Sequence, residues 1–282
     1  MAILRTTTFS ITYNKAENLA KIVDCVEKAG KDKVDLIVFP EGSLQGYFPK
    51  RSVDEESIAY HLENAETLDG EAVSTLKKVA KSQQINIVFG MMERSSGRYS
   101  DLYNTAVLIR PDGFVGAFRK VHLALHEKFL FLPGKDWPVF ETGIGRLGLL
   151  ICRDKLFPES TRSLALNGAD ILVMPTAWPL SSIGSDPETD MRGDMYDLLD
   201  RVRALENQCY FISSNLVGVA GEFDYYGHSR IVSPLGETIT EIGYEEGWTT
   251  AEIDVVKELA RHRLDRRLNN LINDRVKSTY IS

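Results

Sequence analysis

The sequence predicts an α/β fold, a four-layer α-β-β-α sandwich built from two similar halves. Three observations lead there. Short apolar, β-rich runs alternate with helical patterns along the 282 residues. The run Asp35-Leu36-Ile37-Val38-Phe39-Pro40 is echoed by Asp170-Ile171-Leu172-Val173-Met174-Pro175, an offset of 135. Ile87-Val88-Phe89 and the turn Pro111-x-Gly113 are echoed by Tyr210-Phe211-Ile212 and Pro234-x-Gly236, both at an offset of 123. Two sheets that each have one face covered by helices must bury the other face, most simply against each other.

The elements follow in order. A helical pattern at 16–29 ends, by this reading, at Gly30, and residues 36–39 form a buried strand. Residues 71–82 are amphipathic, with Val73, Leu76, Val79 and Ala80 on one face, and 85–89 read as the next strand. Residues 105–109 and 114–118 flank Pro111-Asp112-Gly113, a hairpin signal. A strand at 147–151 ends at Cys152. A helix at 159–166 follows, with Gly168 just past its end, then a strand at 171–174. A helix at 194–206 leads into a strand at 209–213, and Ile231-Val232-Ser233 precedes the second Pro-x-Gly turn. No low-complexity linker divides the chain. Residues 1–282 are therefore read as one domain, with 255–282 a C-terminal tail.

Composition is that of a globular protein, with 43% hydrophobic and 26% charged residues. The 33 basic and 40 acidic residues leave a net charge of −7, which argues against sequence-independent nucleic-acid binding. The one dense basic stretch, 261–267, reads as a solvated helix face or interface. No apolar run is long enough to span a membrane, and the N-terminus lacks a signal-peptide pattern, so a cytoplasmic protein is expected. The three cysteines, Cys25, Cys152 and Cys209, have no zinc spacing and no phosphate-binding glycine motif is present, so neither metal nor cofactor is expected.

Polar residues at the ends of buried strands are where ligands gather in α/β folds. Glu41 follows the strand at 36–39, Lys120 follows the strand at 114–118, and Cys152 follows the strand at 147–151. A carboxylate, an ammonium and a thiol together have a mechanism. The thiolate attacks a carbonyl or nitrile carbon, the carboxylate shuttles the proton, and the ammonium stabilises the oxyanion. Taken singly, each residue has a plainer reading. Glu41 fits a cap or ion-pair partner, Lys120 a surface lysine, and Cys152 a buried structural cysteine. Cys25 in a helical pattern and Cys209 in an apolar strand read as packing residues. His122 and His126 allow a Cys-His pair but bring no acid pattern with them.

The surrounding motifs carry a resemblance. Phe39-Pro40-Glu41, Arg119-Lys120-Val121-His122-Leu123 and Gly148-Leu149-Leu150-Ile151-Cys152-Arg153-Asp154 are similar to the three signature blocks of the nitrilase superfamily, the carbon–nitrogen hydrolases. Phe157-Pro158-Glu159, the run 168–175, Arg203-Ala204-Leu205-Glu206-Asn207 and Gly227-His228-Ser229 resemble its later blocks, in the same order over residues 5–255. The resemblance implies the α-β-β-α fold, Cys152 as nucleophile, Glu41 as general base and Lys120 as oxyanion stabiliser. It also implies that Glu127 positions Lys120 or assists proton transfer, and that the Arg153 N–H is a second oxyanion donor. A loop surface carboxylate is the plainer reading of Glu127. In the second half Thr176 takes the place of Glu41, so one active site per chain is expected.

The resemblance further implies hydrolysis of a small linear amide or N-carbamoyl amine through a cysteine acyl-enzyme, releasing ammonia. Nitrile hydrolysis by the same triad, or a catalytically inactive binding member, is the alternative. Arg153-Asp154 stands where the family's true nitrilases usually carry Trp-Glu, which looks more like the amidase and carbamoylase side. If Arg153 enters the pocket, the substrate carries a carboxylate. Tyr47, Thr176 and Trp178 are the other candidate substrate contacts, with Asn215 a weaker one and the loop 179–190 bordering the entrance. The resemblance also implies further copies of the chain as partners, as a homodimer or larger with the tail 255–282 used in the contacts. The other expected partner is a small-molecule substrate, with no nucleic acid and no membrane.

Overall fold

The computed structural model describes residues 1–96, 101–264 and 270–280. In chain order the strands and helices are β1 (Ala2–Thr8), α1 (Lys15–Lys31), β2 (Leu36–Val38), α2 (Glu55–Asn64), α3 (Glu71–Gln83) and β3 (Asn86–Arg94). Then come β4 (Leu102–Ile109), β5 (Val115–Arg119), β6 (Val139–Thr142), β7 (Gly145–Leu149), α4 (Pro158–Leu166) and β8 (Ile171–Thr176). The chain continues through α5 (Met191–Asn207), β9 (Tyr210–Asn215), β10 (Val217–Ala220), β11 (Phe223–Tyr226), β12 (Arg230–Val232), β13 (Thr238–Glu241), β14 (Gly247–Ile253) and α6 (Val255–Leu264).

Two six-stranded sheets result, ordered β14-β1-β2-β3-β4-β5 and β13-β12-β9-β8-β7-β6. They are topological copies. β1-β2-β3 pair in parallel and β4 and β5 follow antiparallel. β7-β8-β9 pair in parallel and β12 and β13 follow antiparallel. Each copy also gains one antiparallel edge strand, β14 beside β1 and β6 beside β7. The repeat in sequence thus matches a repeat in pairing, and it sets Thr176, at the end of β8, opposite Glu41 after β2.

Alternation along the strands divides the core into layers. Leu36 and Val38 of β2, with Ala106 and Leu108 of β4, pack in the cluster that holds Leu149, Leu172 and Phe211 of the second sheet. Ile37, Val107 and Ile109 point the other way, onto Ile22 and Val26 of α1 and Val73 and Leu76 of α3. Leu164 of α4 and Tyr196 and Ala204 of α5 cover the second sheet. The order of layers is helix, sheet, sheet, helix, as the sequence predicts.

Gly30 corrects one expectation. It does not end α1, which runs to Lys31 with Asp32 as its C-cap. A Cβ at Gly30 would stand 2.1 Å from Gln83 Oε1 of α3. The glycine is there to let two helices approach, not to stop one. Polar residues also lie between the sheets. Thr6 Oγ1 donates to the Ser213 carbonyl at 2.7 Å, and Ser214 Oγ donates to the Thr7 carbonyl at 2.6 Å. Both are fully buried and satisfied across the interface, as buried hydroxyls must be.

Of the expected tail, Val255 and Leu259 of α6 pack into the main core, and Leu271 N donates to Gln208 Oε1 at 3.0 Å. The basic stretch 261–267 lies outside the described side chains. Among the described residues, no helix is long and apolar enough to cross a membrane.

Candidate active site

Three chain segments meet at the same edge of the two sheets. Glu41 leaves β2 through Pro40, Lys120 is the residue after β5, and Cys152 begins a 3-10 turn just after β7. Each is anchored by the backbone around it. Lys120 N donates to the Asn104 carbonyl at 2.8 Å, which extends the β4–β5 ladder by one step. Gly90 of β3 lets the Glu41 segment lie directly on its backbone, because a Cβ there would stand 2.6 Å from Glu41 Cα, Gly42 N and Pro40 O.

Cys152 has φ +45°, the left-handed region that a non-glycine residue adopts only under constraint. Asp154 supplies the constraint. Its Oδ2 accepts from Ile151 N at 3.0 Å, and its Oδ1 accepts from His122 N at 2.9 Å. That carboxylate pins the cysteine turn to the lysine segment. Sequence reasoning passed over it, although Asp154 stands two residues from the thiol.

The charged groups form one buried cluster. Lys120 Nζ donates to Glu41 Oε1 at 2.7 Å and to Glu127 Oε1 at 3.0 Å, with all three side chains buried. Asn104 Nδ2 donates to the same two oxygens, at 2.6 Å each. Glu41 Oε2 accepts from Ala177 N at 2.8 Å, and Glu127 Oε2 accepts from Ala124 N at 2.5 Å. Glu127 is therefore no loop surface carboxylate. Asn104 is a second residue the sequence reading missed. Its one signal is an amide side chain inside a largely apolar strand.

The two carboxylates are pushed apart in acidity. Burial raises the pKa of Glu41 above the usual carboxylate value, and Lys120 offsets this only partly. Burial acts on Glu127 too, but Lys120 and the Ala124 N–H outweigh it and hold its pKa below that value. Burial disfavours the Lys120 charge, yet Glu127 and Glu41 together reverse the effect and raise its pKa. Burial, with the Glu41 charge beside it, pushes the Cys152 thiol up to about 12. Groups forced in opposite directions in one small space are the mark of an acid–base pair.

Lys120 and Cys152 open onto a cavity of about 880 Å³. Tyr47, Arg153 and Trp178 line it, as do His126, Phe223, Arg51 and Arg192. Arg51 and Arg192 were not anticipated. Two other expectations need correction. Thr176 is fully buried and not on the cavity wall. Its hydroxyl lacks a full hydrogen bond and sits where it eases ionisation of the thiol. Asn215 is also fully buried. Its Oδ1 accepts from Trp178 N at 2.8 Å and its Nδ2 donates to the Gly227 carbonyl at 3.0 Å, so it holds Trp178 in place.

His122 and His126 each bond a side chain other than Cys152. His122 Nδ1 lies 2.8 Å from Asp154 Oδ1 with its ring stacked on Phe157, and His126 Nε2 lies 3.1 Å from the Tyr47 hydroxyl. Cys209 is buried and Cys25 half-buried in α1. Among the described residues, no group of three or more His, Cys, Asp or Glu side chains is arranged to hold a metal ion.

Comparison with known proteins agrees with this architecture. Residues 2–261 match the carbon–nitrogen hydrolase family. The chain is 34% identical to a nitrilase of Pyrococcus abyssi over 95% of its length and 92% of the relative. It is 34% identical to the 2-oxoglutaramate amidase of Bacillus subtilis over 88% of each chain. The solved carbon–nitrogen hydrolase of Helicobacter pylori G27 superposes with a TM-score of 0.84 at 24% identity, covering 99% of this chain and 97% of that one. The nitrilase-superfamily fold, the family match along nearly the whole chain and these relatives lead to one conclusion: this chain is a member of the carbon–nitrogen hydrolase family.

Proposed function

We propose that the protein is an amidase that hydrolyses a small linear amide through a thioester on Cys152. The observation that carries this is the Lys120 ammonium shared by two buried carboxylates of opposite pKa displacement, beside a thiol at the foot of a cavity. Glu41, the more basic carboxylate, takes the thiol proton as Sγ attacks the amide carbon. Lys120 Nζ and the Arg153 N–H receive the oxyanion. Glu41 returns the proton to the nitrogen, ammonia leaves, and a thioester remains. Water then attacks the thioester, giving its proton to Glu41, and collapse returns the free thiol and a carboxylic acid. Glu127 stays ionised throughout and keeps Lys120 charged and aimed. Tyr47 and Trp178 wall the acyl group.

Arg153-Asp154 after the cysteine favours an amide over a nitrile, while the relatives divide, one named an amidase and one a nitrilase. A panel of small amides, N-carbamoyl amines and nitriles, read by ammonia release and by intact-protein mass spectrometry, tests the reading. The expected result is ammonia from amides and an acyl adduct that Cys152→Ala lacks. Turnover by folded Cys152→Ala or Glu41→Gln overturns it.

A further inference from the structure

Three arginines reach the cavity from three separate segments. Arg51 lies between β2 and α2, Arg153 lies in the nucleophile turn, and Arg192 lies in the first turn of α5. Each guanidinium rests on an aromatic ring. Arg51 is 4.9 Å from the centroid of Phe223, Arg192 is 5.8 Å from Trp178, and Arg153 is 5.9 Å from Phe157. Such contacts orient a guanidinium without neutralising it, and they leave its fork of N–H donors free.

Among the described residues, no carboxylate lines the cavity and none forms an ion pair with these three arginines. The nearby acids are already engaged. Glu41 and Glu127 are bound to Lys120 and Asn104. Glu222 accepts from the backbone N–H of Arg51 at 2.9 Å, and Asp190 accepts from the backbone N–H groups of Ser181 and Arg192. Burial, the largest influence, and the charge of Arg51 work against the Arg192 charge, and the opposing pull of Cys152 and Asp190 does not make up the loss. A half-buried guanidinium with no ion-pair partner in contact is held at a cost that an incoming anion reduces. The chain as a whole carries −7, so this positive cluster runs against the general surface charge.

We propose that Arg51, Arg153 and Arg192 form an anion-accepting vestibule, so that the acyl part of the substrate ends in a carboxylate and carries no ammonium. Arginine suits the task because its planar fork matches a carboxylate in two parallel hydrogen bonds. An α-ammonium placed in the same space meets like charge with no lining acid to receive it. The amidase reading supplies the bond that is cleaved, and the vestibule selects what is attached to it.

Three matched amides test this. Succinamate ends in a carboxylate, butyramide is neutral, and asparagine adds an ammonium to the carboxylate. We expect kcat/KM for succinamate to exceed that for each of the others by at least about tenfold, the scale of one hydrogen bond to a charged group. In Arg51→Gln, Arg153→Gln and Arg192→Gln the ratio of succinamate to butyramide should collapse toward one. Calorimetric titration of succinate into the resting enzyme needs no turnover, and its affinity should weaken at least about tenfold in Arg192→Gln. Equal kcat/KM for succinamate and butyramide in the wild type overturns the vestibule and leaves the amidase reading standing. So does a ratio that none of the three substitutions changes, or asparagine turned over as fast as succinamate. Succinate binding that depends on the arginines, with no amide hydrolysed, overturns the amidase reading and leaves the vestibule standing.

Discussion

Lys155 Nζ lies 2.8 Å from Asp200 Oδ1, and neither side chain has any exposed surface. The ammonium also donates to the Tyr196 carbonyl at 3.2 Å and sits 3.3 Å from the centroid of the Tyr196 ring. Asp200 Oδ2 accepts from Ser213 Oγ at 2.7 Å. The pair therefore fastens the turn that carries Cys152 to α5 and β9. Removing one partner strands the other as a buried charge, which costs about 3–5 kcal/mol, whereas replacing both with apolar residues is often near neutral. Asp200→Leu should lower the denaturant midpoint sharply, and Lys155→Met/Asp200→Leu should regain most of the loss. A double variant as unstable as the single one would show that Lys155 is not the source of the penalty.

Gly90 makes the second case, on steric grounds alone. Its absent Cβ leaves room for the backbone of Pro40, Glu41 and Gly42, each within 2.6 Å of where that atom would stand. Gly90→Ala must push the Glu41 segment outward or distort β3. Overpacking of this kind costs about 1–3 kcal/mol. The larger effect should fall on kcat, because Glu41 leaves the reach of Lys120 and Cys152. Urea unfolding together with amide turnover checks both parts. Full activity in Gly90→Ala would mean that the Glu41 segment has slack.

The strand ends were readable because apolar runs stop abruptly at Glu41, at Arg119-Lys120 and at Cys152. What the chain folds them against was less so. β1 and its partner β14 went unseen, since the Thr6-Thr7-Thr8 end of β1 has no apolar signal. Two of its buried hydroxyls find carbonyls, Thr6 at Ser213 in the other sheet and Thr7 at Val38 on the neighbouring strand. The pairing of Ala2 with Ile253 joins the two ends of the fold, which no local pattern reveals. Asn104 gains its meaning only from the register that sets Thr105 beside Arg119. Arg51 and Arg192 belong to a loop and a helix start, where nothing periodic marks the inward side.

The high pKa of the nucleophile has a direct chemical signature. With the Cys152 thiol pushed up to about 12, the resting group at pH 7 is a thiol and not a thiolate. Its alkylation by a neutral reagent should be slow at pH 7 and still rising at pH 10. Glu41 contributes to that displacement, so Glu41→Gln should move the rate profile to lower pH. Peptide-level mass spectrometry separates Cys152 from the half-buried Cys25. A rate that levels off below pH 8 would contradict a neutral resting thiol.

Lys120→Met gives the sharpest test of the buried cluster, because its sign depends on pH. In the wild type one ammonium faces two carboxylates, with the pKa of Glu127 lowered and that of Glu41 raised. Glu127 thus contributes stability above its unfolded value of about 4.3 and loses it as pH falls. Glu41 contributes in the opposite sense, so the two largely offset each other. Without the lysine, both carboxylates are buried beside each other with Asn104 as their shared side-chain donor, and both pKa values rise above the unfolded value. The folded variant then binds more protons than the unfolded chain. Its stability is full below about pH 4.3 and drains away as pH climbs through the raised folded values. Lys120→Met should therefore be inactive and clearly less stable than the wild type at pH 7, and the gap should narrow at pH 5. Denaturant midpoints of both proteins at the two pH values decide it. A gap that stays constant, or widens toward pH 5, would mean that Lys120 does not hold the charge balance of Glu41 and Glu127.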